Sequence, residues 1–171
     1  MAAGPGAGSS TGGSRRVQLP TTDQTRAWGA RLGALLRAGD LVVLTGGLGA
    51  GKTCLTQGIA EGLGVRGPIT SPTFVIARVH PSLVGGPDLV HVDAYRLGGL
   101  AELDDLDLDA SLDDAVTVVE WGRGVAEQLS DDYLEVTLTG YDTRTVDLVG
   151  HGARWTGQDS GVLLDDLVSL P

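Results

Sequence analysis

The chain has 171 residues, a formal net charge of −10 and 42% hydrophobic side chains, enough length and apolar content for one domain with a sizeable core. No apolar run approaches the ~18 residues of a membrane helix. The acidic balance argues against direct, phosphate-driven contact with nucleic acid, which rests on clustered Lys and Arg. Residues 1–16 are rich in Gly, Ala and Ser and lack an apolar centre. They read as a disordered tail rather than a secretory signal, so a cytoplasmic protein is expected, with one domain over residues 17–171.

Residues 17–20 suit a short first strand. Thr21 or Thr22 caps a helix expected to run to about Ala38, with Ala27, Ala30, Leu32, Leu35 and Leu36 as its apolar face. Gly39 and Asp40 turn into Leu41-Val42-Val43-Leu44-Thr45, a largely β-branched run that reads as a buried parallel strand. A second helix follows from Thr53, with Leu55, Ile59 and Leu63 at helical spacing and Gly64 as its stop. Gly67-Pro68 breaks the chain. A strand over residues 74–79, a hairpin loop over 81–87 and a strand over 89–93 come next. Residues 102–109 are strongly acidic and read as a solvated helix or loop face. Residues 115–121 form a strand and 122–129 a short helix. Residues 133–139 and 145–149 alternate like antiparallel strands joined near 140–142, and residues 160–170 suit a closing helix. The pattern is α/β, with a mixed parallel and antiparallel sheet flanked by helices.

The most informative segment is Gly46-Gly47-Leu48-Gly49-Ala50-Gly51-Lys52-Thr53, which matches the phosphate-loop pattern G-x-x-x-x-G-K-[ST]. Strand before and helix after supply the context a chance match would lack, and imply a P-loop NTPase fold. The chain's one lysine stands in this loop; the other eleven basic residues are arginines. A compact ammonium fits between phosphates where a planar guanidinium is too wide. Glycines 46, 47, 49 and 51 let backbone N–H groups curl inward, and the helix N-terminus adds partial positive charge. Lys52 is expected to reach the β- and γ-phosphates and the Thr53 hydroxyl to ligate Mg²⁺. Nucleotide contacts are thus expected from Gly47, Leu48, Gly49, Ala50, Gly51, Lys52, Thr53 and Cys54. Cys54, the single cysteine, reads as a small packing residue and not a nucleophile.

A phosphate loop needs an acidic partner at the C-terminal end of a neighbouring strand. Asp93 ends Leu89-Val90-His91-Val92, and Glu120 ends Val116-Thr117-Val118-Val119. One would hold Mg²⁺ through water and the other orient the attacking water. Asp93 is assigned to metal and Glu120 to water, an order the sequence leaves reversible. Lys52, Glu120 and Asp93 are thus the candidate catalytic residues, and Thr53, Asp93 and Glu120 the candidate metal ligands. Ser71 and Thr73 follow the loop helix, where switch segments sense the γ-phosphate, although turn chemistry around Pro72 explains them equally. Thr73 is counted among the nucleotide contacts. Arg96 and Arg123 fit phosphate contacts, partner contacts or surface ion pairs. Trp121 reads as packing, with a nucleotide or partner contact left open. His80, His91 and His151 lack metal-ligand spacing and read as structural. Adenine contacts are expected near Thr21 to Thr25, without assignment to single residues.

Together, Gly46 to Thr53, Ser71-Pro72-Thr73-Phe74, His91-Val92-Asp93-Ala94-Tyr95-Arg96 and Glu120-Trp121 resemble the TsaE (YjeE) family over about residues 17–150. The resemblance implies an ATPase of tRNA threonylcarbamoyladenosine synthesis that binds ATP and Mg²⁺ and hydrolyses ATP slowly alone. It implies work with TsaD and TsaB, which transfer the threonylcarbamoyl group, with tRNA touched only indirectly and no membrane involved. The acidic charge agrees. The chain departs from the family in having Gly47 for a usual Asp, Ala94 for a frequent Leu and Cys54 for a common Thr.

The alternative is a small-molecule kinase on the same scaffold, with Asp93 as base. Residues 97–114 contain no arginine for a kinase lid. A GTP switch is excluded because its Asn-Lys-x-Asp motif needs a second lysine.

Overall fold

A computed structural model describes residues 12–47, 49–70, 77–94, 112–121, 124 and 128–169. Leu48, the 71–74 motif with Ser71 and Thr73, Arg96, Arg123, the acidic 102–109 segment and most of the expected 122–129 helix lie outside the described residues.

The elements in chain order are β1 (Arg15–Leu19), α1 (Thr22–Leu35), β2 (Leu41–Gly46), α2 (Lys52–Leu63), β3 (Ala77–His80), β4 (Asp88–Asp93), β5 (Ala115–Glu120), β6 (Tyr133–Thr139), β7 (Arg144–His151), α3 (Ala153–Thr156) and α4 (Gln158–Val168). One sheet of seven strands has the order β1-β7-β6-β2-β5-β4-β3. The inner strands β6, β2, β5 and β4 run parallel. Antiparallel pairs close both sides: β3 on β4, and β7 between β6 and β1. The expected mixed α/β sheet is therefore observed.

The P-loop strand β2 is central and buried along both faces, as its unbroken apolar run requires. Strand β1 reaches back to Arg15 and Arg16, which composition had assigned to the tail. Their guanidinium groups pair with Asp165 and Asp147, which ties this edge to α4 and β7. The helices α1, α2 and α4 share one core with the sheet, around Trp28, Leu32, Leu55, Ile59, Leu164 and Leu167. On the other sheet face a smaller cluster forms around Leu41, Val43, Val90, Val92 and Val119. Among the described residues, no helix is long and apolar enough to cross a membrane.

Thr21 is the N-cap of α1. It accepts the Gln24 backbone N–H at 3.1 Å, while the Gln24 side chain accepts the Thr21 N–H at 3.1 Å, a reciprocal box that satisfies two end donors. The helix ends at Leu35, short of Ala38. Its buried face keeps the expected Leu32 and Leu36, with Leu35 packed against the core, but Ala27 is exposed, and Thr25, Trp28, Gly29 and Gly33 are buried as well. The indole N–H of Trp28 donates to Leu167 O at 2.8 Å.

The reason is a glycine seam between α1 and α2. A Cβ on Gly58 would sit 2.2 Å from Arg26 O, one on Gly62 2.1 Å from Ala30 O, and one on Gly33 2.3 Å from Ile59 O. The two helices meet backbone to backbone, and no larger residue fits between them. At the far end of α2, Gly64 adopts φ 72° and caps the helix in the left-handed conformation that favours glycine. The seam fixes α2, and with it the first turn that carries Lys52.

Gly58→Ala should destabilise the protein by about 1–3 kcal/mol through overpacking, although alanine is the better helix former. Gly13→Ala, where a Cβ meets nothing within 4 Å, should leave the denaturant midpoint unchanged. Equal midpoints for both would refute the seam.

Candidate nucleotide-binding site

The loop between β2 and α2 turns on Gly49 (φ 78°) and Gly51 (φ 102°), backbone angles that only glycine adopts without strain. This carries the chain from the strand end into the helix and leaves the α2 N-terminus at the sheet's C-terminal edge. Lys52 opens the helix and is 8% exposed. Its ammonium donates to Gly46 O and Gly47 O, both at 2.8 Å. The ammonium also lies 4.2 Å from the centre of the Trp121 ring, within cation–π range. Trp121 adopts φ 59° and its N–H donates to Leu44 O at 3.0 Å. Its backbone thus leaves β5 in a left-handed turn that is unusual for a bulky residue.

Asp93 and Glu120 stand directly opposite each other in the β4–β5 register, and Leu44 of β2 is the next partner of Glu120. The two carboxylates that the sequence singled out are thus side by side at the edge where the loop begins. Burial pushes the pKa of Lys52 below the usual lysine range, and the charges of Glu120 and then Asp93 push it back up. The three residues therefore form one electrostatic unit, although their sequence positions span 52 to 120.

Glu120 is 2% exposed. Among the described residues, its Oε1 is buried without a hydrogen-bond partner. Its Oε2 lies 3.2 Å from His91 Nε2, close but not in hydrogen-bond alignment, since among the described residues neither ring nitrogen of the fully buried His91 makes a hydrogen bond. His91 thus packs on the candidate catalytic carboxylate, a contact that spacing alone did not reveal. His80 Nδ1 donates to Arg66 O at 3.2 Å, and His151 Nε2 lies 3.2 Å from Glu135 Oε2; neither belongs to the site.

Among the described residues, no three His, Cys, Asp or Glu side chains converge to hold a metal by themselves. The oxygens of Thr53, Asp93 and Glu120 are hard donors of the kind Mg²⁺ takes alongside phosphate and water. The orphaned Glu120 Oε1 is an acceptor that a metal-bound or attacking water would satisfy, so these residues fit the group. Cys54 Sγ lies 3.5 Å from Thr22 O, which sets the start of α1 beside the first turn of α2. Burial raises the pKa of this thiol, in keeping with a packing role.

The sequence reading missed Arg144. At the start of β7 it pairs with Leu19 of β1, and its Nε donates to Ala50 O at 3.4 Å. No motif marks it, because it reaches the loop only through sheet pairing.

A seven-stranded mixed sheet flanked by helices, with a glycine-rich candidate phosphate loop between its central strand β2 and helix α2 and two register-paired carboxylates at the neighbouring strand ends, defines a protein of the α/β class. A family profile described as "Threonylcarbamoyl adenosine biosynthesis protein TsaE" matches residues 19–146. The chain belongs to the TsaE family. It is 61% identical over 145 residues to the tRNA threonylcarbamoyladenosine biosynthesis protein TsaE of Streptomyces coelicolor, covering 81% of this chain and 98% of that protein. The protein of the same name from Bacillus subtilis is 36% identical over 136 residues, covering 78% and 84%. The crystal structure of B. subtilis YdiB superposes with a TM-score of 0.68 at 28% identity, covering 91% of this chain and 94% of that one.

Removing one carboxylate should lower the pKa of Lys52 further, because Glu120 and Asp93 both raise it. With a single lysine, an NMR titration of isotope-labelled Lys52 reads this directly. Glu120→Gln should shift the midpoint downward; an unchanged midpoint would show that the pair is uncoupled.

Proposed function

We propose that this protein is a Mg²⁺-dependent ATPase that binds and hydrolyses ATP in support of a TsaB–TsaD complex during threonylcarbamoyladenosine modification of tRNA. Family membership supports the pathway. The observation that carries the ATPase reading is the convergence of Lys52 with the adjacent carboxylates Asp93 and Glu120 at the mouth of the loop.

Each residue has a role that follows from its surroundings. The loop N–H groups from Gly47 to Thr53 and the α2 dipole bind the phosphate oxygens. Lys52 supplies a desolvated positive charge where charge develops on the transferring phosphoryl group, and such a charge is worth more there than in water. Bound Mg²⁺ would neutralise phosphate charge, held by the Thr53 hydroxyl and by Asp93 through water. Glu120 orients the attacking water through its unpartnered Oε1. Burial of Glu120 against His91 fixes that oxygen's direction. The depressed pKa of Lys52 also sets a sign: phosphate affinity should fall as pH rises through a value below that of an ordinary lysine.

The net charge of −10 supports indirect contact with tRNA, through partners that carry the basic surface. A role on tRNA also implies the cytoplasm.

The test is ATP turnover with and without TsaB and TsaD. Lys52→Ala should lose ATP affinity by at least about tenfold. Glu120→Gln should keep affinity and lose turnover by about 10²–10³-fold, as expected on removing a group that acts in the transition state. Full turnover in Glu120→Gln would contradict the assignment. Phosphate transfer to a metabolite without partners would favour the kinase reading instead.

A further inference from the structure

Three buried titratable side chains lie on one diagonal of the sheet. His80 of β3, His91 of β4 and Glu120 of β5 are 5%, 0% and 2% exposed. The registers place them there. His80 pairs with Leu89, two residues before His91 on β4, so the two rings are diagonal neighbours on one face. His91 pairs with Val118, two residues before Glu120 on β5, so ring and carboxylate are diagonal neighbours on that same face. Among the described residues, four polar atoms of this row have no hydrogen-bond partner: His80 Nε2, His91 Nδ1 and Nε2, and Glu120 Oε1. Buried polar groups are nearly always paired, so such a row asks for a reason.

The donor and acceptor roles along the row follow from its outer end. His80 Nδ1 donates to Arg66 O at 3.2 Å, and a carbonyl oxygen can only accept. Burial holds the pKa of His80 below the usual histidine range, which favours the neutral ring. A neutral His80 with its proton on Nδ1 has an acceptor at Nε2 and no proton to offer His91. At the inner end, His91 Nε2 faces Glu120 Oε2 at 3.2 Å. An ionised carboxylate only accepts, so the ring must be the donor if the two pair. The separation is at the long end of the hydrogen-bond range, and only the alignment is missing. Catalytic hydrogen bonds commonly tighten when the reacting groups are engaged.

We infer that His91 is a positioning residue for Glu120: as its Nε2–H tautomer it donates to Glu120 Oε2 and so turns Oε1 towards the attacking water. This rests on the ATPase reading above and goes beyond packing. A ring that only fills space leaves the carboxylate free to exchange its two oxygens by rotation. A donor on Oε2 makes them inequivalent and leaves Oε1 for the water. His91 touches no substrate atom in this role, and no proton leaves its ring.

ATP turnover of the full chain with TsaB and TsaD, beside calorimetric titration of Mg²⁺–ATP, tests it. His91→Phe keeps an aromatic ring and removes the donor. Its kcat should fall about tenfold, the scale of one hydrogen bond to a charged group, with KM and calorimetric affinity unchanged. His91→Gln keeps an N–H on a side chain of similar reach and should recover most of the loss. The tautomers can be read directly, because the chain has three histidines. Nitrogen-15 NMR of the labelled rings should show the His91 proton on Nε2 and the His80 proton on Nδ1. Denaturant midpoints check that each variant is folded; should His91→Phe not fold, the ring spectrum decides alone. Full turnover in folded His91→Phe overturns the positioning role while the ATPase reading stands. Equal losses in His91→Phe and His91→Gln, or a His91 proton on Nδ1, overturn it too. If wild type turns over no ATP, the ATPase reading itself falls, and this role with it.

Discussion

A nearly buried ammonium has to be compensated, and the compensation of Lys52 organises this site. An unpaired charge in a protein interior is costly. Here two loop carbonyls accept from it, an indole face lies beneath it and two carboxylates raise its pKa against burial. These partners come from three separate parts of the chain. Strand β2 delivers the carbonyl of Gly46, and β5 delivers Glu120 and Trp121. Strand β4 delivers Asp93, while α2 supplies the lysine itself. The parallel order β2-β5-β4 brings those strand ends together, and the glycine seam with α1 holds α2 at the depth the contact needs.

The layout explains why the loop and the carboxylates could be read from sequence. A strand-ending acid after an apolar run needs only the rule that parallel strands meet ligand at their C-terminal edge. Asp93 and Glu120 obey it, and the register pairs them. Gly64 likewise marks the end of α2 because a left-handed C-cap favours glycine. The β6–β7 hairpin was visible in its alternation.

What was illegible depends on contacts between distant segments. The buried face of α1 was read only in part, at Leu32, Leu35 and Leu36, because Gly29 and Gly33 count as non-hydrophobic in a periodicity reading, yet they lie in the close-packed helix interface. Trp28 is buried because α4 offers it a carbonyl, and no local pattern shows that. Arg144 carries no motif; it lies beside the loop only because β6 pairs with β2. The packing of His91 on Glu120 is hidden for the same reason, since two residues on adjacent strands meet through register and not through spacing.

In this site Lys52 is proposed to work as a compact charge held between loop and carboxylates, not as a generic cation. Lys52→Arg separates these. It keeps the charge and changes its shape, replacing a compact ammonium by a planar guanidinium that cannot repeat the same point contacts with the loop carbonyls and the Trp121 face. Calorimetric titration of Mg²⁺–ATP into wild type and Lys52→Arg is therefore the most direct measurement. Wild type should bind clearly, and the folded variant should lose at least about tenfold in affinity. Equal affinity in the two proteins would contradict it.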